Sequence, residues 1–185
     1  MRKITFITGG ARSGKSRWAV SHFARCNGVK YMCTCEELDE EVSKRIDYFR
    51  SEYGVNWEII TNVEDPMEYL DGHSFIIFDN LAKFASRIIK NKFPDDESAE
   101  KATHDDEREI ESEIIASMMK FIDEAKVGYG ELLIVSAEVG FTPALESEPL
   151  QRLYRNILSI VNQRIANQCS ESYLVLSGKA LKFSD

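Results

Sequence analysis

The residues best equipped for chemistry lie near the amino terminus, in a glycine-rich stretch that reads GGARSGKS. It spans residues 9–16 and fits the pattern G-x-x-x-x-G-K-[ST], with Gly9, Gly14, Lys15 and Ser16 at the fixed positions. Glycines allow the backbone to turn so that successive N–H groups point at one phosphate chain, and the following helix adds its positive dipole end. The stretch therefore predicts a site for the phosphates of GTP or ATP.

Within this loop, two side chains have distinct expected roles. Lys15 is expected to contact the β- and γ-phosphates as a point charge and to take part in catalysis. The hydroxyl of Ser16 is expected to coordinate Mg²⁺, which prefers oxygen ligands. The predicted nucleotide-binding set is the whole loop: Gly9, Gly10, Ala11, Arg12, Ser13, Gly14, Lys15 and Ser16.

Two acidic residues follow later apolar runs. Asp79 ends the run FIIFD, and an acid at the end of a strand near a phosphate loop can hold Mg²⁺, so we expect a catalytic and metal-binding role for it. Glu138 comes just after the run ELLIVS and is a further catalytic candidate, because parallel sheets bind ligands at the carboxyl ends of their strands. An ordinary turn residue remains the alternative at both positions.

Short apolar runs that alternate with amphipathic segments must position these residues. Most of the runs are continuously apolar, which is typical of parallel strands covered on both faces. The predicted strands span residues 3–8, 29–34, 57–61, 74–79, 131–136 and 172–178. The first predicted helix begins at about Gly14, and the other three span residues 36–54, 105–125 and 150–168. A polar loop is predicted over residues 91–108. This alternation predicts a three-layer α/β fold with a mostly parallel sheet.

Length and charge limit the organisation and the partners. The 185 residues, 43% of them apolar, predict a single nucleotide-binding domain over residues 1–185. A net charge of -8 argues against nucleic acid or anionic membranes as partners. The first apolar run is too short for a signal peptide, and no run is long enough to span a bilayer, so we expect a cytoplasmic protein.

The four cysteines show no paired framework. Cys33 and Cys35 form a C-x-C, but residues two apart on a strand simply share a face, and no second pair stands nearby to complete a zinc site. Free, partly buried thiols are the expected state.

Five stretches, taken in order, resemble a known family. They are TGGARSGKS (8–16), FIIFDNLAKFASRII (75–89), VSAEVG (135–140), LYRNILSIVNQRIA (153–166) and LVLSG (174–178). Together they resemble the bifunctional adenosylcobinamide kinase / adenosylcobinamide-phosphate guanylyltransferase family over nearly the full chain. The resemblance implies a RecA-like P-loop sheet, GTP or ATP with Mg²⁺, a corrinoid substrate and a homotrimer. It also implies phosphorylation of the aminopropanol hydroxyl of adenosylcobinamide, followed by GMP transfer through a guanylylated histidine.

The sequence departs from the family where that histidine belongs. Tyr48 and Phe49 stand at the histidine positions. Other departures are Tyr53-Gly54 for an Arg-Pro pair, Thr61 for a glutamate and Ala137 for an asparagine. A phosphoramidate intermediate requires an imidazole nitrogen. We therefore expect the kinase step, whereas guanylyl transfer lacks its family nucleophile.

Two alternatives stay open from the sequence. One is a small-molecule kinase with another acceptor, because the rewritten segment 48–61 faces the nucleotide in the family. The other is a nucleotide-binding regulatory protein without catalysis, since folds host more than one function. The remaining histidines, His22, His73 and His104, are expected to be ordinary surface or turn residues.

Overall fold

Most of the chain forms one twisted sheet covered by helices. A computed structural model describes residues 1–141 and 148–183. The strands are β1 (Lys3–Gly9), β2 (Val29–Cys33), β3 (Trp57–Ile60), β4 (Phe75–Asp79), β5 (Glu131–Val135), β6 (Glu171–Leu176) and β7 (Lys179–Lys182). Their order across the sheet is β3-β2-β4-β5-β1-β6-β7. β1 to β6 run parallel and β7 pairs antiparallel with β6. The parallel strands therefore all end at one edge, where a ligand site is expected.

Alternate residues of the central strands belong to two separate apolar cores. Ile4, Phe6, Ile76 and Phe78 pack in the core on one face, whereas Ile7, Ile77, Leu133 and Val135 pack in the core on the other. Burial of both faces explains why these strands read as continuous apolar runs. The predicted three-layer α/β fold is confirmed.

Helices cover the two faces of the sheet. They are α1 (Lys15–His22), α2 (Glu40–Tyr53), α3 (Leu81–Lys92), α4 (Asp96–Glu100), α5 (His104–Lys126) and α6 (Pro149–Ala166), with a short 3-10 helix at Pro66–Tyr69. α1 and α2 supply residues to one core, and α3, α5 and α6 supply residues to the other. The α2 stripe Val42, Ile46 and Phe49 is buried, as its spacing of four and three residues predicts.

Two parts of the predicted helix pattern differ from the structure. α2 begins at Glu40 rather than near residue 36, because the Asp39 carboxylate accepts hydrogen bonds from the backbone N–H groups of Glu41 and Val42. The predicted loop over 91–108 is partly helical, since it holds α4 and the start of α5. Each of these helices opens with a capping box, at Asp95 and at Thr103. In the described part of the chain, no helix has the length and apolar character needed to cross a membrane.

Candidate functional site

The glycine-rich loop joins the end of β1 to the start of α1. Gly9 is tightly enclosed, because an added Cβ would lie 2.5 Å from Ser13 Oγ and 2.6 Å from the Val175 carbonyl oxygen. Gly14 caps α1 with a φ of 93°, which favours glycine. Among the described residues, the buried Ser13 Oγ has no hydrogen-bond partner. The loop thus has the shape of a phosphate cradle, and it keeps an unused polar atom inside.

Lys15 points back into this loop. Its Nζ donates a hydrogen bond to the Gly10 carbonyl at 3.2 Å. Burial lowers the pKa of Lys15, and the nearby charge of Asp79 partly opposes that change. An ammonium group held inside a loop of backbone N–H groups is suited to contact a phosphate chain.

Asp79, the last residue of β4, faces the loop from two strands away. Its side chain is buried, and the Tyr31 hydroxyl donates a hydrogen bond to its Oδ2 at 2.5 Å. Burial raises the pKa of Asp79, while hydrogen bonds from Tyr31 and Ser16 and the charge of Lys15 act in the opposite direction. The structure therefore brings together Lys15, Ser16 and Asp79. A carboxylate beside a hydroxyl is an oxygen donor set that fits Mg²⁺.

These groups open into a cleft of about 740 Å³ between the loop and the start of α2. Such a volume lies in the range of small-molecule sites. The loop side of the cleft carries the cations Arg12, Lys15 and Arg17, and the α2 side carries the carboxylates Glu37, Asp39, Glu40 and Glu41. A smaller cavity of about 440 Å³ between α3 and α6 includes none of the loop residues. The larger cleft is thus the candidate site.

The two cysteines of the C-x-C line this same cleft. Cys33 ends β2 directly beside Asp79 in the sheet, and Cys35 lies in the following bend, where its backbone N–H donates to Cys33 Sγ. Burial raises the pKa of the Cys33 thiol to about 12. That thiol therefore stays protonated at neutral pH and lines the cleft as a small apolar group.

Glu138 approaches the loop through its backbone only. Its N–H donates to the Gly9 carbonyl at 2.9 Å, so the residue stands next to the start of the loop. Its carboxylate Oε1 accepts a hydrogen bond from the Gly140 N–H at 2.7 Å, and the residue does not line the cleft. The structure places the Glu138 carboxylate over its own turn, apart from the cluster formed by Lys15, Ser16 and Asp79.

The two α2 positions at which the resemblance implies histidine differ in exposure. Phe49 is 5% exposed and packs with Trp57, their ring centroids 6.4 Å apart. Tyr48 is 55% exposed and contacts the ring of Tyr53 near the end of the helix. The cleft is lined by α2 residues only as far as Val42, so Tyr48 lies nearly two turns beyond that lining.

All three histidines lie outside the residues that line the cleft. His22 ends α1 and contacts Glu131 at 3.0 Å. His104 is the exposed first residue of α5. His73, Asp71 and Glu58 place three possible metal ligands close together. The buried Lys30 ammonium, however, forms ion pairs with both carboxylates and supplies the positive charge there. These positions agree with the ordinary roles expected from the sequence.

Tyr31 is a residue of the site that the sequence did not reveal. It was predicted only as part of an apolar strand, yet its hydroxyl orients the Asp79 carboxylate. Its alternation with Cys33 would have indicated the same face of β2, but only the order of the strands shows that β2 lies next to β4.

Comparisons with known proteins identify relatives along nearly the whole chain. A family model described as cobinamide kinase / cobinamide phosphate guanyltransferase matches residues 5–183. The bifunctional adenosylcobalamin biosynthesis protein of Escherichia coli K12 is 29% identical over 181 residues, which cover 97% of this chain and 98% of that protein. The corresponding protein of Salmonella typhimurium LT2 is 29% identical over 191 residues, with the same coverage.

A solved structure of a prototypical ATPase from the type III secretion system of pathogenic bacteria superposes with a TM-score of 0.52 at 12% identity. The match covers 93% of this chain and 50% of that one, so this chain spans half the length of the ATPase. At that identity the likeness concerns the fold alone, an α/β sheet covered by helices. The family match over nearly the whole chain has a stronger meaning: the chain belongs to the cobinamide kinase / cobinamide phosphate guanyltransferase family.

Proposed function

We propose that this protein transfers the γ-phosphoryl group of GTP or ATP to the aminopropanol hydroxyl of adenosylcobinamide, and that it does not transfer GMP. One observation carries the proposal. Lys15, Ser16 and Asp79 meet in a cleft whose described lining contains no histidine. The first feature supports phosphoryl transfer, and the second removes the nucleophile that the family's second reaction requires.

In this proposal the loop binds the triphosphate. The N–H groups of residues 9–16 and the Lys15 ammonium contact the β- and γ-phosphates. Ser16 and Asp79 would hold Mg²⁺, which would supply positive charge to offset that of the phosphates. Tyr31 keeps the Asp79 carboxylate in one orientation through its hydrogen bond. These residues bind and orient, and phosphoryl transfer requires little covalent chemistry from the protein.

The proposed reaction is a direct transfer of the γ-phosphoryl group from the nucleotide to the acceptor hydroxyl. The acceptor oxygen forms a bond to the γ-phosphorus, and the bond from that phosphorus to the β,γ-bridging oxygen breaks. The nucleoside diphosphate leaves, and the hydroxyl proton passes to water or to a carboxylate. Glu138 remains our proposed further catalytic residue, and this role requires its carboxylate to release the Gly140 N–H.

Guanylyl transfer lacks its covalent carrier here. A phenylalanine cannot form a phosphoramidate, and the Phe49 ring is packed into the core. Tyr48 carries a phenol, whose ordinary pKa near 10 makes it a weak nucleophile at neutral pH. It also lies beyond the α2 residues that line the cleft. We propose from the chain length that residues 1–185 form a single domain, and from the family resemblance that this domain assembles as a homotrimer.

Mass spectrometry of the corrinoid product tests the proposal. Adenosylcobinamide is incubated with the purified protein, Mg²⁺ and either GTP or ATP. We expect a gain of one phosphoryl group and no GMP. A product that carries GMP would contradict the loss of the second step. An unchanged corrinoid with continued nucleotide turnover would indicate another acceptor, for which the rewritten segment 48–61 gives a reason. No turnover at all would favour a binding role.

A further inference from the structure

The helix α6 carries a buried amide on its apolar face. Asn162 is 7% exposed, and its neighbours on that face are the buried residues Leu158, Val161 and Ile165. Burying an amide costs free energy unless its polar atoms are hydrogen-bonded, so a buried asparagine requires specific partners. The phosphate-binding function proposed above assigns this residue no role.

Both ends of the Asn162 amide have partners in the turn that follows β5. Its Nδ2 donates a hydrogen bond to the Ala137 carbonyl at 2.9 Å. Its Oδ1 accepts one from the Ser136 hydroxyl at 2.6 Å, and Ser136 is fully buried. Because a carbonyl can only accept, the amide nitrogen must face Ala137, which fixes the orientation of the side chain. One side chain of α6 therefore holds two consecutive residues of the turn.

Arg155 holds the same turn at its far end. It lies seven residues before Asn162, which is two turns of helix, so both side chains extend from the same face of α6. Its Nε donates a hydrogen bond to the Val139 carbonyl at 3.1 Å. The helix thus contacts Ser136, Ala137 and Val139, the residues on either side of Glu138 in the chain.

The turn 136–138 is hydrogen-bonded to β1 and to the start of the phosphate loop. The Ser136 N–H donates to the Ile7 carbonyl at 2.8 Å, and the Glu138 N–H donates to the Gly9 carbonyl at 2.9 Å. These bonds extend the pairing of β5 with β1 as far as the first residue of the loop. The enclosed position of Gly9, against Ser13 and Val175, leaves it little room to adjust. A displacement of the turn therefore displaces the start of the loop.

We propose that Asn162 is a positioning residue for the phosphate loop, acting through the backbone of the turn 136–138, and that Arg155 secures the other end of that turn. This inference rests on the proposed function, because it takes the loop to be where nucleotide binds. It gives the Asn162 amide a task that an apolar side chain of the same size cannot perform.

The variant Asn162→Asp tests this with little change of shape, since it replaces the Nδ2 donor by a carboxylate oxygen opposite the Ala137 carbonyl. Ser136→Ala removes only the other hydrogen bond and keeps the one to Ala137. Ile122→Ala is the matched control for stability. It opens a cavity in the same core near the carboxyl end of α5. That end lies at the amino ends of the strands, away from the loop, because the Lys126 carbonyl accepts a hydrogen bond from the Arg2 N–H just before β1.

Two readouts separate positioning from general destabilisation. One is the affinity for GTP with Mg²⁺, measured by calorimetry under conditions where each variant is fully folded. The other is the amide NMR signals of Gly9, Gly10 and Gly14 in glycine-labelled protein without nucleotide. We expect Asn162→Asp to weaken GTP binding about tenfold and to shift these signals. Ser136→Ala and Ile122→Ala should stay within about threefold of the wild type.

An Asn162→Asp variant with wild-type loop signals overturns the inference, and so does one that binds GTP no more weakly than Ile122→Ala does. A failure of the proposed function looks different, because the wild-type protein itself would not bind GTP. In that case the glycine signals alone decide the inference, since they report the position of the loop without a ligand.

Discussion

The Tyr31 hydroxyl lies 2.5 Å from Oδ2 of Asp79, so a buried tyrosine in the middle of β2 contacts the buried carboxylate that ends the neighbouring strand β4. A phenol that donates to a buried carboxylate fixes the orientation of that carboxylate and leaves fewer of its lone pairs unpaired. The other oxygen of Asp79 then remains the natural one to face a cation near Ser16.

Tyr31→Phe removes that hydrogen bond and keeps the ring. We expect the Mg²⁺ concentration for half-maximal nucleotide turnover to rise about three- to tenfold, because the carboxylate loses its orienting partner. A magnesium titration of initial rates measures this. The control is Tyr173→Phe, which removes the hydroxyl that bonds Glu171 on β6. An unchanged magnesium requirement in Tyr31→Phe would show that this hydrogen bond has no role in metal binding.

Lys15→Ala removes the ammonium group held inside the phosphate loop. Its charge is expected to stabilise the developing charge on the transferred phosphoryl group, so we expect kcat to fall by about 10²- to 10³-fold. Steady-state turnover of GTP and ATP measures the change. Lys44→Ala is the control, since Lys44 is an exposed lysine whose side chain is 74% accessible. Equal activity of the two variants would contradict the assignment of the cleft.

Tyr48→His restores an imidazole at one of the family's histidine positions. We expect no covalent GMP on this variant, because residue 48 lies nearly two turns beyond the α2 residues that line the cleft. Incubation with α-labelled GTP, followed by denaturation at alkaline pH, detects a phosphoramidate. Label that survives alkali and is lost in acid would show that the imidazole alone restores the step.

Asp71→Asn tests the charged cluster of Asp71, Lys30 and His73, which lies near the amino end of β2, away from the cleft. Burial alone would raise the pKa of Asp71, but hydrogen bonds from Lys30 and His73 lower it well below its usual range. Glu58 and Arg2 are the other charged groups nearby. The folded pKa lies below the unfolded one, so the stabilisation is present above about pH 4 and is lost as the pH falls through the folded value.

Urea unfolding at pH 7 and at pH 3 measures that dependence. Asp71→Asn should be less stable than the wild type at pH 7, and the difference should shrink at pH 3. Asp123→Asn is the control, because Asp123 forms an exposed ion pair with Lys126 on α5. A difference for Asp71→Asn that is the same at both pH values would contradict the ionic role of this carboxylate.

The sequence predicted the parallel strands well because they are buried on both faces and read as uninterrupted apolar runs. It missed β7, since the predicted strand 172–178 runs through a two-residue turn at Ser177 and Gly178. Both of these residues have positive φ angles, as a tight hairpin requires. It also missed α3, whose apolar residues at Leu81, Phe84 and Ile89 follow a helical period that was read only as part of a family motif.

Some residues of the candidate site could also be predicted from the sequence, and others could not. The phosphate loop and Asp79 follow from local patterns, since a glycine-rich loop and an acid at a strand end are visible in a few consecutive residues. The contacts of Tyr31 with Asp79 and of Asn162 with Ser136 join segments far apart in the chain. They depend on which strands are neighbours and on which face of α6 meets the sheet, and neither is encoded in local spacing.

The most direct test of the central claim uses two labels of one nucleotide. Adenosylcobinamide and Mg²⁺ are incubated with the protein and with GTP labelled either at the γ- or at the α-phosphorus, and the corrinoid is then separated and counted. The account predicts that the γ-label appears on the corrinoid and the α-label does not, and that transfer of the γ-label is about 10²- to 10³-fold slower in Lys15→Ala. Transfer of the α-label by the wild-type protein would contradict it.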